Sequence, residues 1–76
     1  MKLNDAIELG KQGRWEVAQV RLSPGNLNQW FVMLLDIEHK SFILANDDDQ
    51  TIATDDINRL VELTRAIGLK KITVFL

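Results

Sequence analysis

The densest group of chemistry-bearing residues in this chain of 76 is acidic: Asp47, Asp48 and Asp49 in one run, then Asp55 and Asp56. Carboxylates at alternating positions of a loop bind calcium, with glycine at the sixth place and glutamate at the twelfth. Counted from Asp47, those places hold Ile52 and Asn58, so the calcium-loop pattern is absent. The plain reading is a solvated loop, with Asp55 and Asp56 as ordinary acids at a helix start. A looser use is a negative patch that meets a basic protein surface or mimics nucleic-acid phosphate.

His39 is the single histidine, a residue type suited to general acid/base work. It sits in Glu38-His39-Lys40, a short polar break, with Ser41 beside it but nothing to form an oxyanion site. A turn histidine fits that context better than a general base. Without cysteine, cysteine metal sites are excluded, and a lone His39 cannot build a zinc site by itself. Phosphate loops of the glycine-rich kind, HExxH and CxxC are absent. No catalytic, cofactor or metal residue is therefore expected, and the chain reads as non-enzymatic.

These residues must be positioned by few elements. The length predicts one domain over residues 1–76, with a thin core burying roughly 60% of the unfolded surface. Small cores are commonly supported by disulfides, metals or oligomerisation. Without cysteine, oligomerisation is the support that remains. A hydrophobic share of 46% against 26% charged excludes disorder. No apolar run nears the ~20 residues of a membrane span. Met1 to Asp5 lacks a signal-peptide layout. Zero cysteine suits a reducing cytoplasm, and a net charge of −2 makes nucleic acid an unfavoured partner.

Leu3, Ala6, Ile7 and Gly10 recur at helical spacing, predicting a first helix over residues 4–12 with Asn4 as cap and Gly13 as stop. Residues 15–22 alternate, with Ala18, Val20 and Leu22 on one face and Trp15, Val17, Gln19 and Arg21 on the other. Ser23-Pro24-Gly25-Asn26 is a turn, Pro24 presetting φ and Gly25 supplying positive φ. Residues 29–36 are apolar in both phases, the pattern of a central strand covered on both faces. Ser41 to Ala45 completes an antiparallel meander.

Thr54 then reads as the cap of a second helix. Its apolar stripe is Ile57, Leu60, Val61, Thr64 and Ile67, widened by Leu63 and Ala66 and ended by Gly68. Asp55–Arg59 and Glu62–Arg65 are spaced to pair along it. Lys11, Arg14, Lys70 and Lys71 lie near helix C-terminal ends, where cations complement the dipole. Ile72 to Leu76 is a final strand pinned in a sheet. The fold class is α+β in the order α-β-β-β-α-β, an antiparallel meander plus a C-terminal strand, with two helices packed on the sheet.

If the helices take opposite faces, every apolar residue is core. The expected arrangement instead puts both on one face. The other face then holds Val17, either Phe31, Met33 and Leu35 or Trp30, Val32 and Leu34, and either Phe75 or Val74. A monomer rarely leaves such a patch in water. Val17, Trp30, Phe31, Met33, Leu35 and Phe75 are the candidate interface residues, and a symmetric homodimer is the expected assembly. Trp15 and Trp30 read as core or rim anchors, or as interface hot spots.

The leading α-β-β-β-α order resembles the double-stranded-RNA-binding domain and the mRNA-cleaving toxins of the HicA type. The first helix followed by Gly13-Arg14-Trp15 resembles the start of such a toxin. The resemblance covers element order only and implies, as the alternative function, association with nucleic acid. The toxins' catalytic Gly-Ser-His segment near strand 2 has no counterpart. The RNA-binding family's basic second-helix start is replaced by Thr54-Asp55-Asp56. No functional residue carries over, and a regulatory or interaction protein is the favoured reading.

Overall fold

A computed structural model describes all residues from 1 to 76. The elements are α1 (Leu3–Lys11), β1 (Trp15–Ser23), β2 (Asn26–Asp36), β3 (Ser41–Ile43), β4 (Ala53–Thr54), α2 (Ile57–Ile67) and β5 (Ile72–Val74). The sheet runs β3-β2-β1-β5, and the short β4 also pairs with β2. β1, β2 and β3 form the expected antiparallel meander, and β5 adds to the far side of β1 in parallel. This is the expected two-layer α+β fold with one strand more than the sequence signalled.

Both helices pack on one face. Ala18 and Val20 of β1 and Val32 and Leu34 of β2 are buried together with Ala6 of α1, Leu60 and Ile67 of α2, and Leu44. Burying each large aliphatic side chain contributes about 1.5–3 kcal/mol. The strong apolar pattern of β2 is thus half explained: Val32 and Leu34 of its even phase are buried and Trp30 packs against the core, while Phe31, Met33 and Leu35 are only half-buried. The expectation of cover on both faces is corrected, because no element of this chain lies over the odd phase.

A bulge decides where Trp15 goes. Trp15 pairs with Asp36 and Val17 with Leu35, leaving Glu16 unpaired. That extra residue turns Trp15 out of the phase of Val17 and onto the helix side. There its indole Nε1 donates to the Ala6 carbonyl oxygen at 2.8 Å, and its ring meets Phe42 edge-on at 5.9 Å. The expectation that Trp15 shares a face with Val17 is corrected accordingly.

Helix ends differ in their devices. α1 has Lys2 at its cap position without a side-chain cap. The Leu3 N–H donates to the Ala45 carbonyl oxygen instead, and Asn4, expected as the cap, donates from its amide to Asp47 Oδ1 at 3.2 Å. α2 is capped by Asp56, whose side chain accepts from the Asn58 N–H. Thr54 is not that cap; it ends β4, and its hydroxyl accepts from the Asp56 N–H. Asp55 therefore lies before the helix, and neither Asp55–Arg59 nor Glu62–Arg65 forms an ion pair. Gly68 closes α2 at φ 100°, as expected of a glycine stop. Gly25 does not take the positive φ expected of it.

Candidate functional site: the open sheet face

The register of the sheet lays the uncovered phase out in three rows. The first is Ser41, Leu35 and Val17. The second is Ile43, Met33, Gln19 and Thr73. The third is Ala53, Phe31 and Arg21, with Phe75 beyond, its ring under the Arg21 guanidinium at 4.2 Å. Ile43 and Phe75 are 43% and 39% exposed, too open for core residues. Arg21 is the single charged side chain in these rows.

Of the six candidate interface residues, Val17, Phe31, Met33, Leu35 and Phe75 lie together on this face. Trp30 does not. It pairs with Leu22 and Thr54 in the opposite phase and packs against the core, so its place among the interface residues is corrected. Two members of the face were missed as site residues. Ile43 has the right parity in the third strand. Arg21 shares the phase of Val17, but its role depends on β5 arriving beside it.

The acidic residues are spread over separate tasks. Asn46 Oδ1 accepts from the Asp48 and Gln50 N–H groups and shapes the loop, while Asp49 takes φ 64°. Asp47 accepts from Asn4, Asp56 caps α2, and Asp55 is exposed. No three acidic or histidine side chains converge on a point that would hold a metal ion.

His39 occupies a left-handed turn position at φ 66°, is 85% exposed, and lies 3.9 Å from Glu16. The turn is organised by Asp36 rather than His39. Asp36 is 4% exposed, and its Oδ1 accepts from the N–H groups of Glu38 and Lys40, both at 2.9 Å. Arg14 reaches Glu38 at 2.8 Å and Asp36 Oδ2 at 3.9 Å. The Lys40 N–H above all, then the Glu38 N–H and the Arg14 and Lys40 charges, hold the Asp36 carboxyl below its ordinary value of 3.8, against the opposing effect of burial. A carboxylate with a depressed folded pKa stabilises the fold above its unfolded pKa. That contribution is lost as pH falls through the lower, folded value. Resistance of the wild type to urea should therefore weaken below about pH 4. Asp36→Asn keeps an oxygen acceptor without the titration, so its acid slope should be shallower. Equal acid slopes would show that Asp36 is not held ionised by this turn.

Two further hollows exist. One, of about 330 Å³, lies among Leu3, Asn46, residues 51–54, Arg59 and Leu63. The other, of about 390 Å³, lies between the C-terminal ends of the helices, with Lys11, Glu16 and Lys70 on its wall. Neither gathers a nucleophile with a base.

No protein-family model, curated protein or solved structure matches this chain. The resemblance in element order gains no support from those comparisons, and β4 interrupts it between β3 and α2. None of the helices is long and apolar enough to cross a membrane. The open sheet face is an apolar surface that no element of the chain covers.

Proposed function

We propose that this chain is a non-enzymatic interaction protein that self-associates through its open sheet face. The observation that carries this reading is the set of rows holding Val17, Phe31, Met33, Leu35 and Ile43, apolar and without any cover from the chain itself. Exposed contiguous apolar surface of that kind marks interaction sites. Identical chains most often assemble about a two-fold axis, and two such sheets stack face to face at roughly 10 Å. Arg21 lies toward the β5 edge of the face, where its charge keeps access to water. A cytoplasmic setting belongs to the same reading and fits the absence of cysteine.

Sedimentation velocity across about 1–100 µM spans moderately weak association. The expected result is a rise from the protomer mass to twice that mass. A protomer mass throughout would end the homodimer reading.

A further inference from the structure

We propose that the corner of the open face around Arg21 binds a small carboxylic acid with an apolar tail. Arg21 stands in a row between Phe31 and Phe75. Its guanidinium lies 4.2 Å from the centre of the Phe75 ring, a stacked arrangement that favours arginine over lysine. Its Nε donates to Gln19 Oε1 at 3.1 Å. These two contacts hold the group in place from one side. The two terminal nitrogens donate to nothing within the chain, and no carboxylate approaches within 4.0 Å. A planar fork of donors is thereby fixed and unused.

The fork opens on a shallow hollow of about 470 Å³, walled otherwise by apolar residues that include Pro24, Phe31, Met33 and Leu76. Small-molecule sites commonly fall between about 300 and 1,000 Å³, apolar with a few placed polar groups. A carboxylate matches the fork with two parallel hydrogen bonds. One cation and apolar walls select a monoanion with an apolar body. A phosphate chain would need several cations, which this corner lacks. The hollow is local to one corner, which suits a small molecule rather than a protein segment laid along the face.

The test uses the whole chain labelled with ¹⁵N, titrated with sodium octanoate and, separately, with 1-octanol. The amides of residues 21, 31 and 75 should shift with octanoate, and octanoate should bind about tenfold tighter than octanol, the scale of a charge-assisted pair. Arg21→Gln should abolish that difference while its amide spectrum stays folded. Equal binding of the two probes overturns the proposal, as does a preference that survives in Arg21→Gln or shifts confined to other residues. Phe31 and Met33 also lie on the proposed dimer face, so octanoate and a second copy compete for this corner, and octanoate should lower the fraction that sediments at twice the protomer mass. A chain that sediments as a protomer and still prefers octanoate keeps this site and loses the homodimer.

Discussion

Gly10→Ala is expected to destabilise the domain by about 3 kcal/mol, the upper end of ordinary overpacking. Helix propensity alone argues the reverse. Alanine in a helix interior is favoured over glycine by about 1 kcal/mol. The packing term decides, because α1 and α2 cross at Gly10. A Cβ there would overlap the Ile67 carbonyl oxygen, stand 3.0 Å from its carbon, and meet Trp15 Cδ1 at 3.4 Å. The main obstacle is backbone in the last turn of α2, so no rotamer change relieves it and the helices must separate. Ala6, Ile67 and the Trp15–Ala6 hydrogen bond are all carried by that crossing. A domain this small has a total stability of roughly 4–11 kcal/mol, so the loss is a large fraction of it. Urea midpoints of the wild type and Gly10→Ala measure the effect. A raised midpoint would mean that propensity wins and the helices do not approach this closely.

That crossing also shows how far the sequence can be read. Gly10 was legible as one more small residue on the apolar stripe of the first helix. Its reason for being glycine lies in residue 67 and depends on how two helices meet. The two-layer fold was legible because its signals are local: the stripe on α2, its glycine stop, and the parity of Ala18 and Val20. Trp15 was misplaced because one inserted residue at Glu16 reverses parity, and nothing in the composition of Glu16 marks a bulge. The α2 start was misread because Thr54, Asp55 and Asp56 are all good caps. The pairing of Thr54 with Trp30 in β4 draws Thr54 into the sheet and leaves the task to Asp56.

The site was legible in a comparable way. The doubly apolar run from Trp30 to Leu35 announced that both of its faces seek cover, but not which phase the helices would take. The register resolves it: Val32 and Leu34 share the phase of Ala18 and Val20, opposite the phase of the charged Arg21. Arg21 itself was readable by parity and not by role. Its stacking on Phe75 needs β5 beside β1, a parallel pairing of residue 73 with residue 19 that no local pattern encodes.

Adjacent substitutions on β2 turn that register into an experiment. Val32→Asp places a carboxylate at a fully buried position among Val20, Leu34 and Leu60. Without a partner the charge carries a desolvation penalty of several kcal/mol, comparable with the whole stability of the domain, and the chain is expected to unfold. Met33→Asp moves one residue along and to the other face, where the side chain is only half-buried. Its intrinsic cost as a strand residue is about 1 kcal/mol, which the fold survives. In the proposed face-to-face dimer, however, Met33 lies in the middle row, and a carboxylate there would be buried against the apolar surface of a second copy. The expected result is a folded protomer by circular dichroism that no longer sediments at twice its mass. Leu35→Asp, in the neighbouring row beside Val17, should behave alike. Circular dichroism separates unfolding from dissociation, and Met33→Lys gives a second chance if aspartate unfolds the chain. If all of the outer-face variants stay folded and keep the sedimentation behaviour of the wild type, the odd phase of β2 is not an interface, whatever the wild-type mass.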